Sequence, residues 1–185
     1  MKKITGLLVL SLALVFVYNS CKKEEKSVSP PVPGNEFLTT VQLVITNAAD
    51  ASDKQTVAVK QMPDQPVDYS DATINLKKNA VYNVSVKFLD ETTTPAGDIT
   101  ADIYDRRNYH LICFDVSGGA KLTIERTDKD TNTPALEIGL EDKFTTGDAS
   151  KGSLNVQLRH QPNAKNGSCE PGSSDADVDF PVNIN

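Results

Sequence analysis

The chain is 185 residues long, with 19 Lys and Arg against 25 Asp and Glu and a net charge of −6. An acidic balance with no basic stripe argues against nucleic acid, whose binding needs clustered cations. The length suits one domain with a sizeable core, and the lack of tryptophan beside plentiful Val, Thr, Asn and Asp points to a β-rich chain with many turns.

The chain opens on Met1-Lys2-Lys3, then runs almost unbroken in apolar residues from Ile4 to Val17. That run is too short to span a bilayer comfortably and is flanked like a signal peptide. Ser20 and Cys21 follow, then Lys22, Lys23, Glu24 and Glu25. An apolar run before a cysteine resembles a bacterial lipoprotein signal, which implies cleavage before Cys21 and acylation of that residue. The run Cys21-Lys22-Lys23-Glu24-Glu25 also resembles the surface-export signal of Bacteroidota lipoproteins. The expected organisation is a leader at 1–20, an acylated cysteine with a Pro-rich tether at 21–35, and a folded domain at 36–185. The alternative is an ordinary secreted protein or an uncleaved anchor. Each buried acyl methylene contributes roughly 0.8 kcal/mol, so two or three chains would hold the protein firmly on the outer membrane. Pro30, Pro31 and Pro33 favour an extended tether. At about 3 Å per residue it reaches roughly 40 Å.

From Phe37 onward the hydrophobic period is two. Phe37, Thr39, Val41, Leu43 and Ile45 share one face; Val57 and Val59, then Ile74 and Leu76, suggest short strands; Tyr82, Val84, Val86 and Phe88 alternate with Asn83, Ser85 and Lys87. Further strands are predicted through Ile112–Val116, Leu122–Ile124, Leu136–Leu140, Leu154–Leu158 and Ala176–Ile184. Alternation means one buried and one wet face. Eight or nine such strands predict an all-β, antiparallel, immunoglobulin-like β-sandwich. Pro181 on the outward phase of the last strand suggests an edge. The segment 98–107 breaks the rhythm and predicts one short helix, capped by Asp98, with Ile99 and Ile103 four apart.

The two histidines, His110 and His160, fall on the apolar phases of a strand start and a strand end. If those strands are antiparallel neighbours, both rings reach one end of the sandwich, and the helix before His110 would bring Asp102 and Asp105 there. Imidazole with carboxylate suits a divalent transition metal, with His110, His160, Asp102 and Asp105 as candidate ligands. The alternative is two hydrogen-bonded histidines closing the core edge. With Cys21 acylated, Cys113 and Cys169 remain, and outside the cytoplasm they are a candidate disulfide. The alternative is a packed Cys113 and an idle Cys169. The run from Asp128 to Asn132 resembles the opening of a calcium loop, but Thr133 stands where the glycine is needed, and a hairpin turn is the better reading. There is no Gly-x-Ser-x-Gly elbow and no phosphate loop, so the chain is expected not to be an enzyme.

Several passages carry a family resemblance. They are Asn35 to Leu43, Leu76 to Asp90 followed by Asp98-Ile-Thr, Phe144-Thr-Thr-Gly147, and Gly152 to Asn163. Together they resemble small Bacteroidota lipoproteins often labelled type 1 periplasmic-binding-fold proteins and found near TonB-dependent receptors. The label implies alternating strands and helices over about twice this length, whereas the period here implies a sandwich. The chain also departs from the family's acidic pattern before His110, where it carries Arg106 and Arg107. The resemblance implies an accessory protein that captures a metal or other nutrient for an outer-membrane receptor. The alternative is a structural or protein-interaction module of the cell surface with no small-molecule ligand.

Overall fold

In a computed structural model the described residues are 38–185. The expected leader, the expected acylation of Cys21 and the tether lie outside them. The elements are β1 (Thr40–Asn47), β2 (Asp50–Lys60), β3 (Ile74–Leu76), β4 (Val81–Asp90), β5 (Gly97–Asp98), α1 (Thr100–Asp105), β6 (His110–Ser117), β7 (Leu122–Arg126), β8 (Glu141–Thr146), β9 (Ser150–His160) and β10 (Ser173–Ile184).

They form a β-sandwich. One sheet has the order β2-β1-β4-β8-β7, with β5 also paired to β4, and the other the order β3-β10-β9-β6. Alternation decides which side chains meet between them. On β4, Tyr82, Val84, Val86 and Phe88 are all buried, and the opposing sheet supplies Leu154, Val156, Leu158, Val178 and Phe180. Phe88, Phe144 and Phe180 are the largest fully buried side chains. Burial of apolar side chains at this scale is the main stabilising term, at about 1.5–3 kcal/mol for each large one.

Four expectations need correction. First, the described residues hold ten strands, and one pair, β3 with β10, is parallel. Second, residues 136–140 are not a strand, although Ile138 and Leu140 are buried as the alternation implied. Carboxylates capture the backbone there. Asp130 accepts the Leu136 N–H, and Asp128 accepts those of Gly139 and Leu140, so these amides are lost to any ladder. The strand is β8, one step later, masked in the sequence because its inward residues are Asp142, Phe144 and Thr146. Third, the helix is shorter than expected, and Asp98 belongs to β5. Its carboxylate accepts the Thr100 N–H at 2.9 Å, while Ile99 occupies the cap position without a side-chain bond. Fourth, β10 is an interior strand. Pro181 sits one residue before β3 begins to pair, so the proline meets a local edge only.

Candidate metal centre

His110 opens β6 and His160 closes β9. The strands run antiparallel with these two residues directly opposite each other. Cross-strand partners project to the same face, and the two imidazoles stack with centroids 5.0 Å apart and planes at 23°.

The third member of the group is Asp175. Ser174 pairs with Arg159 and Ala176 with Leu158, which leaves Asp175 as an extra residue in a β-bulge. Continuous alternation from Val178 and Ala176 would turn Asp175 outward. The bulge re-aims it inward, where it is 9% exposed, with Oδ2 3.8 Å from His110 Nε2. One ligand atom each from His110, His160 and Asp175 lies within 4.8 Å of the others.

Asp102 and Asp105 are not in this group, which corrects the expected ligand set. Ile103 is buried against the core, and the residue before it is turned about 100° away on the helix. Asp102 therefore sits on a neighbouring face and Asp105 on the far side, exposed.

Burial, the adjoining His160 and the Arg106 guanidinium lower the His110 pKa from 6.5 to about 4. The ring is thus neutral at physiological pH, the form that ligates metal. The carbonyls of Ile103 and Arg106 oppose that shift, yet Nδ1 is buried with no well-formed hydrogen bond.

The loop from Gln161 to Gly172 joins His160 to Asp175 and is tied down at several points. Cys169 is bonded to Cys113 of β6, the strand that carries His110. The Arg159 guanidinium donates to the carbonyls of Glu170, Pro171 and Gly172. The buried Gln161 amide donates to those of Ser168 and Pro171. Lys165 reaches a buried carboxylate, Asp130, at 2.8 Å. Gly172 has φ +80°, and a Cβ there would collide with the His160 carbonyl, so the loop closes tightly on that histidine. A site carried by restrained backbone is held in place before any ligand arrives.

Replacing both Cys113 and Cys169 by serine should cost roughly 4 kcal/mol, because the bond closes a long loop in the unfolded chain. Urea denaturation of the oxidised parent and the double variant measures this. A loss below about 1 kcal/mol would show that the bond adds little to the other restraints.

Asp128 and Asp130 are both spent on backbone amides, and Asp130 also on Asn132 and Lys165. This is the turn reading of that segment. Sequence reasoning missed Asp175 and Lys165. The bulge leaves no mark in a period-two pattern, and Lys165 lies in a polar loop with no periodicity to place it.

Comparison with family models, curated proteins and solved structures finds no match to this chain.

Proposed function

We propose that this chain is a lipid-anchored binding protein of the cell envelope that captures a divalent transition-metal ion through His110, His160 and Asp175. The observation that carries the reading is the convergence of two imidazoles and a carboxylate within 4.8 Å. In a tetrahedral shell with bonds near 2.0–2.1 Å, ligand atoms stand about 3.3 Å apart, so small side-chain rotations close the group on an ion. Two nitrogens and one oxygen suit zinc or copper over calcium or magnesium, which prefer all-oxygen shells. Three protein ligands leave a further position open, which suits capture and release better than a closed structural site.

The leader-like run ending at Cys21 supports an anchor on the outer membrane, and the following lysines and glutamates support display at the cell surface. An outer-membrane receptor would then be the acceptor for the ion.

The test is calorimetric titration of zinc and copper into the metal-stripped chain from residue 27, which keeps every described strand and core residue. Binding with a micromolar or tighter Kd is expected. His110→Ala with His160→Ala should abolish it, and Asp175→Asn should weaken it at least about tenfold. Absent binding, or binding unchanged in the histidine variant, would sink the metal reading.

A further inference from the structure

A cleft lies beside β4, where the larger sheet splits. Strand β4 is flanked by β8 along Val81–Ser85 and by β5 along Leu89–Asp90. Between these stretches the two flanking elements part. Asp128 causes the split on one side by drawing the Gly139 and Leu140 N–H groups to its own carboxylate. On the other side the Thr100 hydroxyl takes over the Phe88 N–H at 2.9 Å, where a strand neighbour would otherwise stand. The opening left between them is a cleft of about 470 Å³. That volume is in the range of small-molecule sites.

The lining has a specific chemistry. The Tyr104 ring, Ala101 and the aliphatic stem of Lys87 supply apolar wall, and Lys87, Asp98, Asp128 and Glu141 supply charge. Val86 and Leu140 belong to the core behind the cleft, whereas Tyr104 is 50% exposed. The charges do not neutralise one another. Lys87 takes no ion-pair or hydrogen-bond partner among the described residues, although three carboxylates, Asp98, Asp128 and Glu141, line its cleft. Glu141 receives the Ser85 hydroxyl, Asp98 the Thr100 N–H and Asp128 the Gly139 and Leu140 N–H groups, so none is held by a cation. A cation and carboxylates that frame one cleft without meeting present opposite charge at separated points, with apolar surface between.

We propose that this cleft binds a small zwitterion with an apolar body, of the amino-acid or dipeptide class. Its carboxylate meets the Lys87 ammonium, its ammonium meets Asp98 and Glu141, and its side chains cover Ala101 and the Tyr104 ring. A ligand bearing one charge would leave the opposite charge of the cleft uncompensated. Specificity of this kind comes from groups left unpaired by the wrong ligand. This site does not depend on the metal reading.

The probe is the dipeptide Leu-Leu, titrated into the isotope-labelled chain from residue 27 and followed by amide chemical shifts. The expected result is saturable shifts at Lys87, Ala101, Leu140 and Glu141 with a Kd below about 1 mM. N-acetyl-Leu-Leu-amide, which has the same body and neither charge, should bind at least about tenfold more weakly. Lys87→Met and Glu141→Gln, both on the outer face of the sheet, should each weaken Leu-Leu by a similar factor and leave the core resonances in place. Absence of shifts at about 5 mM Leu-Leu, shifts elsewhere on the chain, or equal binding of the capped dipeptide would each overturn the proposal.

Discussion

Lys165→Met should destabilise the fold by about 3–5 kcal/mol, the usual cost of stranding a buried charge. The Lys165 and Asp130 side chains are 2% and 0% exposed, and Nζ stands 2.8 Å from Oδ2. The same ammonium donates to the Arg107 carbonyl at 3.0 Å, so it joins the loop after β9, the turn after α1 and the loop after β7. Burial by itself would raise the Asp130 pKa, but Lys165 and the amides of Leu136 and Asn132 outweigh it and hold the carboxyl below 3.8. For a depressed carboxyl, the stabilisation is present above the unfolded pKa and is lost as pH falls through the lower folded value. The carboxyl is therefore ionised at neutral pH, and removing the lysine strands a carboxylate. Urea denaturation should show a lower midpoint at unchanged slope. Adding Asp130→Asn to the variant should recover part of the loss. Lys121→Met, which breaks the exposed pair with Asp148 at side-chain exposures of 56% and 76%, should leave the midpoint where it is. Equal midpoints for Lys165→Met and the parent would contradict this account.

Asp142→Asn should have the opposite sign and raise the melting temperature at pH 8 by roughly 5–10 °C, a few kcal/mol for a chain of this size. Asp142 points inward from β8, is 3% exposed, and neither carboxyl oxygen has a hydrogen-bond partner. Arg126 pairs with it across the ladder, but its side chain is directed to the Ile112 carbonyl and to Glu137. Burial first, and then the Asp128 carboxylate, raise the Asp142 pKa from 3.8 to about 9. Between those values the folded chain keeps a proton that the unfolded chain releases. Stability from this group is complete below the unfolded pKa and falls as pH rises through the folded one. Asparagine fills the same space and never ionises. The gain should therefore be large at pH 8 and close to zero at pH 4, as thermal melts at both pH values would show. A gain of equal size at the two pH values would mean that packing, not ionisation, is responsible.

These two residues mark the limit of what the pattern of side chains conveys. The strands of β1, β4, β6, β9 and β10 were legible because each carries at least three apolar residues in succession on its inward phase. Strand β8 was not, because Asp142 and Thr146 occupy inward positions and only Phe144 reads as core. The stretch 136–140 had the right alternation and still formed no strand, because Asp128 and Asp130 bind the amides that a ladder needs. Polar groups settle such choices through hydrogen bonds to backbone far along the chain, which a local period does not register.

The candidate metal group divides in the same way. That His110 and His160 face inward at the ends of two strands follows from alternation, and their meeting required only that β6 and β9 be neighbours, as they are. The aspartate was another matter. Asp102 and Asp105 lay closest along the chain, yet helix rotation turned them to other faces, while a one-residue bulge in β10 delivered Asp175.

By itself, then, the sequence determined the class of fold, the phase of most strands and the pair of histidines, because burial of apolar side chains is periodic and local. Tertiary structure alone decided the third member of the metal group, the buried Lys165–Asp130 pair and the cleft beside β4. Each of these depends on where a register slips or a backbone amide is diverted, and such events are set by contacts between residues distant in the chain.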